Sequence, residues 1–86
     1  MSEGLPTDII VGVDTHKHSH AAVAITGLGA RVAALTIQVG PAGYRELEAW
    51  ARSLGVVRAF GIEGTGSYGA GLARFLHEGG HAVHEV

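Results

Sequence analysis

The most constraining feature of this chain is the apolar run Ile9–Val13, which ends on Asp14. An unbroken apolar run of this length predicts a strand in the middle of a sheet, with both faces covered. A carboxylate at the end of such a strand is partly withdrawn from water, and a bound cation would explain its presence there. A second segment, Val56–Ile62, has a similar character and runs directly into Glu63. The sequence therefore predicts two core strands that each end on an acid.

The remaining segments predict an α/β fold with the order β-β-β-α-β-α-β. Short links between the first three strands predict an antiparallel meander, whereas an intervening helix predicts a parallel fourth strand. We expect a mixed sheet, truncated in or after the fifth strand, with 1–7 as a mobile leader and 8–86 as the front part of a longer domain. The predicted strands are 8–15, 21–26, 31–39, 56–62 and a last one from 81, and the predicted helices run from Pro41 to Gly55 and from about Tyr68 to Gly79.

Composition limits the classes of protein that remain. Eighty-six residues suffice for one small domain, and 16% charged residues is below the roughly 25% of typical soluble domains. Apolar surface is therefore expected to contact another segment or a second copy in a homo-oligomer. The absence of cysteine excludes disulfides and thiolate metal sites. Without a signal peptide or a long apolar run, we expect a cytoplasmic protein with no membrane partner.

Two motifs carry a resemblance to a known family. VGVDTHKHSHAAVAI and GIEGTGSYGAGLARFLHEGGHAVHEV resemble the N-terminal domain of DEDD transposases of the IS110 family, which includes relatives of the Piv-type DNA invertases. The resemblance implies an RNase H-like fold, similar to the RuvC resolvase, in which the first and fourth strands are adjacent and parallel. It also implies metal-dependent cleavage and joining of DNA, with a guide RNA as a further partner.

In this family four acids, in the order Asp, Glu, Asp, Asp, hold divalent metal. Asp14 matches the first acid and Glu63 the second, so the resemblance implies that both are catalytic and metal-binding. The other two acids would lie beyond residue 86. We therefore expect Mg²⁺ or Mn²⁺ to bind weakly to this piece, which should be inactive by itself. Taken singly, Asp14 could instead cap a turn and Glu63 could be a helix-entry acid.

Three further residues are candidates for contacts with nucleic acid. Lys17 follows the first acid and could approach a phosphate, although a solvated hairpin residue is the simpler interpretation. Thr65 and Ser67 lie in a glycine-rich segment that could present backbone N–H groups to a phosphate at a helix start. The net charge of −2 and the scattered basic residues argue against strong nucleic-acid binding by this piece alone.

Histidines and aromatic residues give weaker signals. His16, His18 and His20 alternate, so an extended segment would place them on one face and could bind a transition metal. A solvated turn is the alternative. Trp50 and Tyr68 are predicted to lie at the edge of the core rather than to stack on bases.

Two other functions fit the predicted fold. An actin-like or sugar-kinase ATPase lobe shares the element order and the acid after the first strand, but its hairpin is rich in glycine and threonine, whereas the hairpin here is rich in histidine. A non-catalytic oligomerisation module would associate through exposed apolar surface or unpaired strand edges.

Overall fold

A computed structural model describes residues 8–86, and the predicted leader 1–7 lies outside the described residues. The element order is the predicted one, and most boundaries agree within two residues. The second helix begins later than predicted, because the segment around Tyr68 forms turns. The elements are β1 (Asp8–Thr15), β2 (Ser19–Thr26), β3 (Arg31–Gln38), α1 (Pro41–Leu54), β4 (Val56–Ile62), α2 (Ala70–Glu78) and β5 (Val83–Glu85).

The five strands form one mixed sheet in the order β3-β2-β1-β4-β5. β1 pairs antiparallel with β2, and β2 pairs antiparallel with β3. β4 pairs parallel with both β1 and β5, and α1 and α2 lie in the connections that allow this parallel pairing. This arrangement confirms the predicted RNase H-like fold class and the central position of β1.

Both helices pack on the same face of the sheet. Along β1 the odd-numbered residues Ile9, Val11 and Val13 are buried beneath the helices, whereas Ile10 and Gly12 face the other way and are exposed. The prediction that both faces of β1 are covered is therefore wrong for residues 8–86. An apolar run indicates that both faces of a strand are apolar, but it does not show whether another element packs on the second face.

β2 has the same two-sided character. Its core face carries the small residues Ala22 and Ala24, together with His20. Its larger side chains Val23 and Ile25 lie on the face away from the helices and are only partly buried. The face of the sheet that residues 8–86 leave uncovered, called the open face below, is therefore strongly apolar in its centre.

The first helix is positioned by its start and by its apolar stripe. Pro41 occupies the first turn, where a missing N–H costs no hydrogen bond. Tyr44, Leu47 and Ala51 recur at helical spacing and are buried against the sheet. Trp50 packs beside them at the edge of the core, as predicted, whereas Tyr68 is 53% exposed and its predicted place at the core edge is wrong.

A polar link ties α1 to the segment before β5. Glu48 Oε2 lies 2.6 Å from His81 Nε2, and both side chains are largely buried. Arg52 approaches the same carboxylate at 3.4 Å, one helical turn further on. The His81 and Phe60 rings pack nearly perpendicular to each other, with 5.0 Å between centroids. These contacts give His81 a structural role on the helix side of the sheet.

His20 is a fully buried polar residue in the core. Its ring stacks with Tyr44 at 6.4 Å between centroids. Nδ1 lies 3.0 Å from the Ser19 carbonyl oxygen and 3.3 Å from the His16 amide nitrogen, whereas Nε2 has no hydrogen-bond partner within residues 8–86. Burial lowers the pKa of His20, the contact with the Ser19 carbonyl opposes this effect, and nearby His16 lowers the pKa further. The folded domain therefore favours a neutral His20.

Stability is expected to fall below pH 6.5, the ordinary pKa of histidine. The unfolded chain takes up a proton at His20 near this pH, whereas the folded chain takes it up only at lower pH, so acid favours unfolding until the folded pKa is passed. Urea unfolding at a series of pH values on both sides of 6.5 measures the effect. His20→Phe keeps a ring against Tyr44 and is expected to show a shallower fall. An equal pH dependence in both proteins would contradict this assignment, because the other histidines are common to both.

Candidate functional site

Asp14 and Glu63 are neighbours at the carboxyl ends of the adjacent strands β1 and β4. In the parallel pairing of β1 with β4, Val13 lies opposite Ile62. Asp14 is the next residue on β1, and Glu63 directly follows the last residue of β4. Because parallel strands run in the same direction, their carboxyl ends open on the same side. Both acids line a single cavity of about 480 Å³ on the open face.

The rest of this cavity is formed by the sheet itself. Gly12 and Gly61 face each other in the β1–β4 register and form its floor. A Cβ built on Gly12 would meet no atom of residues 8–86 within 4 Å, whereas one built on Gly61 would lie 3.4 Å from the Val86 side chain. Its other lining residues include Ile10, Val23, Ile25 and Val86. The cavity therefore has an acidic end and apolar walls.

The surroundings of Asp14 differ from the sequence expectation. Its side chain is 61% exposed, so the expected partial withdrawal from water is wrong in the described part of the chain. Asp14 is exposed because its side chain lies on the open face, which residues 8–86 do not cover. His16 Nε2 lies 3.2 Å from Asp14 Oδ2, with the histidine equally exposed. The contact between these two side chains was not predicted from the sequence, although residues two apart along an extended chain lie on one face.

The three alternating histidines do not converge. His20 is buried among the core residues, His16 lies beside Asp14, and His18 is exposed in the turn between β1 and β2. Within residues 8–86 no group of three or more histidine or acidic side chains is placed to hold a metal ion. The transition-metal hypothesis for these histidines is therefore wrong, because the chain bends at the turn instead of continuing as one extended segment.

The nucleic-acid candidates lie in segments beside the acids. Lys17 is exposed in the turn that follows β1. Thr65 is half-buried and Ser67 exposed in the turns that join β4 to α2. The amides of Ser67 and Gly69 donate to the Gly64 carbonyl at 2.9 and 2.8 Å. These two N–H groups are thus already bonded within the loop.

The main chain of Glu63 is tied to the end of β1. Its N–H donates to the Val13 carbonyl at 3.2 Å, and its carbonyl accepts a hydrogen bond from the Thr15 hydroxyl at 2.8 Å. Thr15 was not among the site residues predicted from the sequence. No local pattern signals this contact, because the two residues are 48 positions apart in the chain.

The fold and the paired acids define an RNase H-like domain with carboxylates at the shared carboxyl edge of two parallel strands. A family model described as a DEDD transposase of the IS110 type matches residues 11–86. The chain belongs to this family of IS110 transposases, as the sequence resemblance implied. No curated protein matches the chain.

Family membership supports a role in transposition or recombination and implies interaction with DNA and use of a divalent metal ion. It favours a transposase over the ATPase lobe considered above. Neither helix in residues 8–86 has the length and apolarity to cross a bilayer.

Proposed function

We propose that this chain supplies the first two acidic ligands, Asp14 and Glu63, of a metal-dependent DNA transposase. The observation that carries the proposal is the position of the two acids, side by side at the ends of β1 and β4 and lining one cavity. The order of the acids along the chain is that of the first two members of the DEDD set.

The chemistry of the two donors fits a hard divalent cation. Mg²⁺ and Mn²⁺ bind carboxylate oxygens, and Mg²⁺ retains several water ligands, so a site for it needs room. Asp14 is largely exposed and the cavity floor at Gly12 is open, so such a hydrated ion can be accommodated. When bound, the ion would stabilise negative charge on the oxygens of a phosphodiester. Asp14 and Glu63 would hold and orient it.

Asp14 and Glu63 are only two of the four acids in the family's ligand set, and the metal affinity and activity expected of the isolated chain follow from this. It binds the metal weakly and does not cut DNA. Lys17, Thr65 and Ser67 are proposed to make minor contacts with nucleic acid, because they lie on the turns that follow the two acid-bearing strands. Binding of a guide RNA, homo-oligomerisation and a cytoplasmic location stay predictions.

A Mn²⁺ titration followed by NMR tests the proposal. We expect metal binding that depends on both Asp14 and Glu63. Paramagnetic broadening should begin at the amides near Asp14 and Glu63. Asp14→Asn and Glu63→Gln should each weaken binding by about tenfold or more, because removal of one charged oxygen ligand leaves a single carboxylate. Glu46→Gln, at an exposed position on α1, is the matched control and should bind as the wild type does.

Two results would contradict the proposal. Equal Mn²⁺ affinity in the wild type and in Asp14→Asn would remove the metal site. Metal-dependent cleavage of a DNA junction by the purified chain would show that two acids suffice, and the expectation of inactivity would then be wrong.

A further inference from the structure

The main chain of Glu63 forms hydrogen bonds with the two residues of β1 that flank Asp14. The Glu63 N–H bonds to the carbonyl of Val13, and the Glu63 carbonyl accepts from the hydroxyl of Thr15 at 2.8 Å. Val13 and Thr15 are the residues immediately before and after Asp14. Both main-chain polar groups of Glu63, its N–H and its carbonyl, are thus bonded to β1 beside Asp14.

Two glycines leave the space in which this contact forms. Gly64 has a φ of +70°, and a Cβ there would lie 2.7 Å from the Thr15 hydroxyl oxygen. A Cβ at Gly69 would lie 2.7 Å from the Glu63 carbonyl oxygen. Any side chain at either position would push the hydroxyl and the carbonyl apart. The close approach of Thr15 to Glu63 therefore depends on glycine at both positions.

The position of Glu63 explains why an additional contact is needed. β4 ends at Ile62, so Glu63 lies one residue beyond the regular hydrogen bonding of the strand. The loop that follows bonds mainly to itself, through the Gly69 amide and the Gly64 carbonyl. Without the Thr15 hydroxyl, the carbonyl end of Glu63 would have no bond to β1 in the described part of the chain.

We propose that Thr15 is a positioning residue that sets the geometry of Glu63 relative to Asp14 for metal binding. This inference rests on the proposed function of the two acids. Mg²⁺ requires its ligands close to octahedral positions, and partners that orient a ligand affect metal affinity strongly. Thr15 acts here through the main chain of the ligand residue and does not touch the ion.

The test compares Mn²⁺ affinity in variants that differ at the hydroxyl. Thr15→Val replaces the hydroxyl by a methyl group and keeps the β-branched shape. Thr15→Ser and Thr15→Ala form a second pair that differs only in the hydroxyl. We expect Thr15→Val and Thr15→Ala to bind Mn²⁺ at least about fivefold more weakly than the wild type, and Thr15→Ser to stay within about twofold. The serine–alanine pair decides the question if Thr15→Val does not fold.

Urea unfolding of the same proteins separates positioning from general stability. A purely structural role for Thr15 would shift the unfolding midpoint and leave the affinity of the folded protein unchanged, which would overturn the inference. Equal loss of affinity in Thr15→Ser and Thr15→Ala would also overturn it, because the methyl group and not the hydroxyl would then matter. Binding that is lost in Asp14→Asn but unchanged in Thr15→Ala would overturn only the role of Thr15. Binding that survives Asp14→Asn would overturn the metal site itself.

Discussion

Replacing Phe60 by alanine is expected to destabilise the domain by about 3–5 kcal/mol. Phe60 is fully buried and is among the largest side chains of the core. It lies on β4 opposite Val11 of β1, beneath the helices, and its ring contacts His81. Truncation removes most of its apolar contacts and leaves a cavity between the sheet and the helices. Because small domains are stable by only about 5–15 kcal/mol, a loss of this size should leave much of the protein unfolded at moderate temperature.

Urea unfolding followed by circular dichroism measures this effect. Phe60→Leu, which refills most of the space, should lose distinctly less stability than Phe60→Ala. Leu28→Ala is a control for the loss of an apolar side chain as such, because Leu28 is 99% exposed, and it should be nearly neutral. A loss below about 1 kcal/mol in Phe60→Ala would contradict the central place of this ring in the core.

Gly43→Ala is the second substitution with a large expected effect. Helix propensity alone predicts a gain of about 1 kcal/mol for alanine in place of glycine inside a helix. Gly43 is buried in α1, however, and a Cβ there would overlap the backbone carbonyl oxygen of Gln38 at the end of β3. Backbone cannot turn aside as a side chain can, so α1 would have to move away from the sheet. We expect a net destabilisation of about 2 kcal/mol or more.

Two other glycines provide matched controls for this prediction. In Gly71→Ala the new methyl group would approach only the hydroxyl end of Tyr44, at 2.8 Å, and a side chain can adjust. Helix propensity offsets this contact, and the stability change should be small. Gly66→Ala meets nothing within 4 Å and should be close to neutral. A denaturation series in which all three variants behave alike would show that steric contact at Gly43 does not decide its effect.

The local architecture was largely predictable because its signals are periodic and local. The apolar run in β1, the alternation in β3 and the helical spacing of Tyr44, Leu47 and Ala51 each report one element. Glycine and proline mark where α1 begins and ends. Tyr68 was misplaced because its spacing from Leu72 fits a helix, although the glycines around it favour turns.

The candidate site was predictable only in part. The pairing of Asp14 with Glu63 was expected from the family resemblance and from the rule that parallel strands open at the same edge. The contact of His16 with Asp14 and the hydrogen bond of Thr15 to Glu63 were not expected. Both contacts arise from how the strand ends and turns are placed, and periodicity carries no information about that placement.

The amino-acid sequence by itself determined the order of the elements, the central place of β1, and which two acids end the core strands, because hydrophobic patterning and turn residues act over short distances. Only the tertiary structure decided which face of the sheet the helices cover, that Asp14 is open to solvent, and that the Thr15 hydroxyl donates to the Glu63 carbonyl. These features depend on the packing of elements that are distant in the chain, and each of them is compatible with the same local pattern.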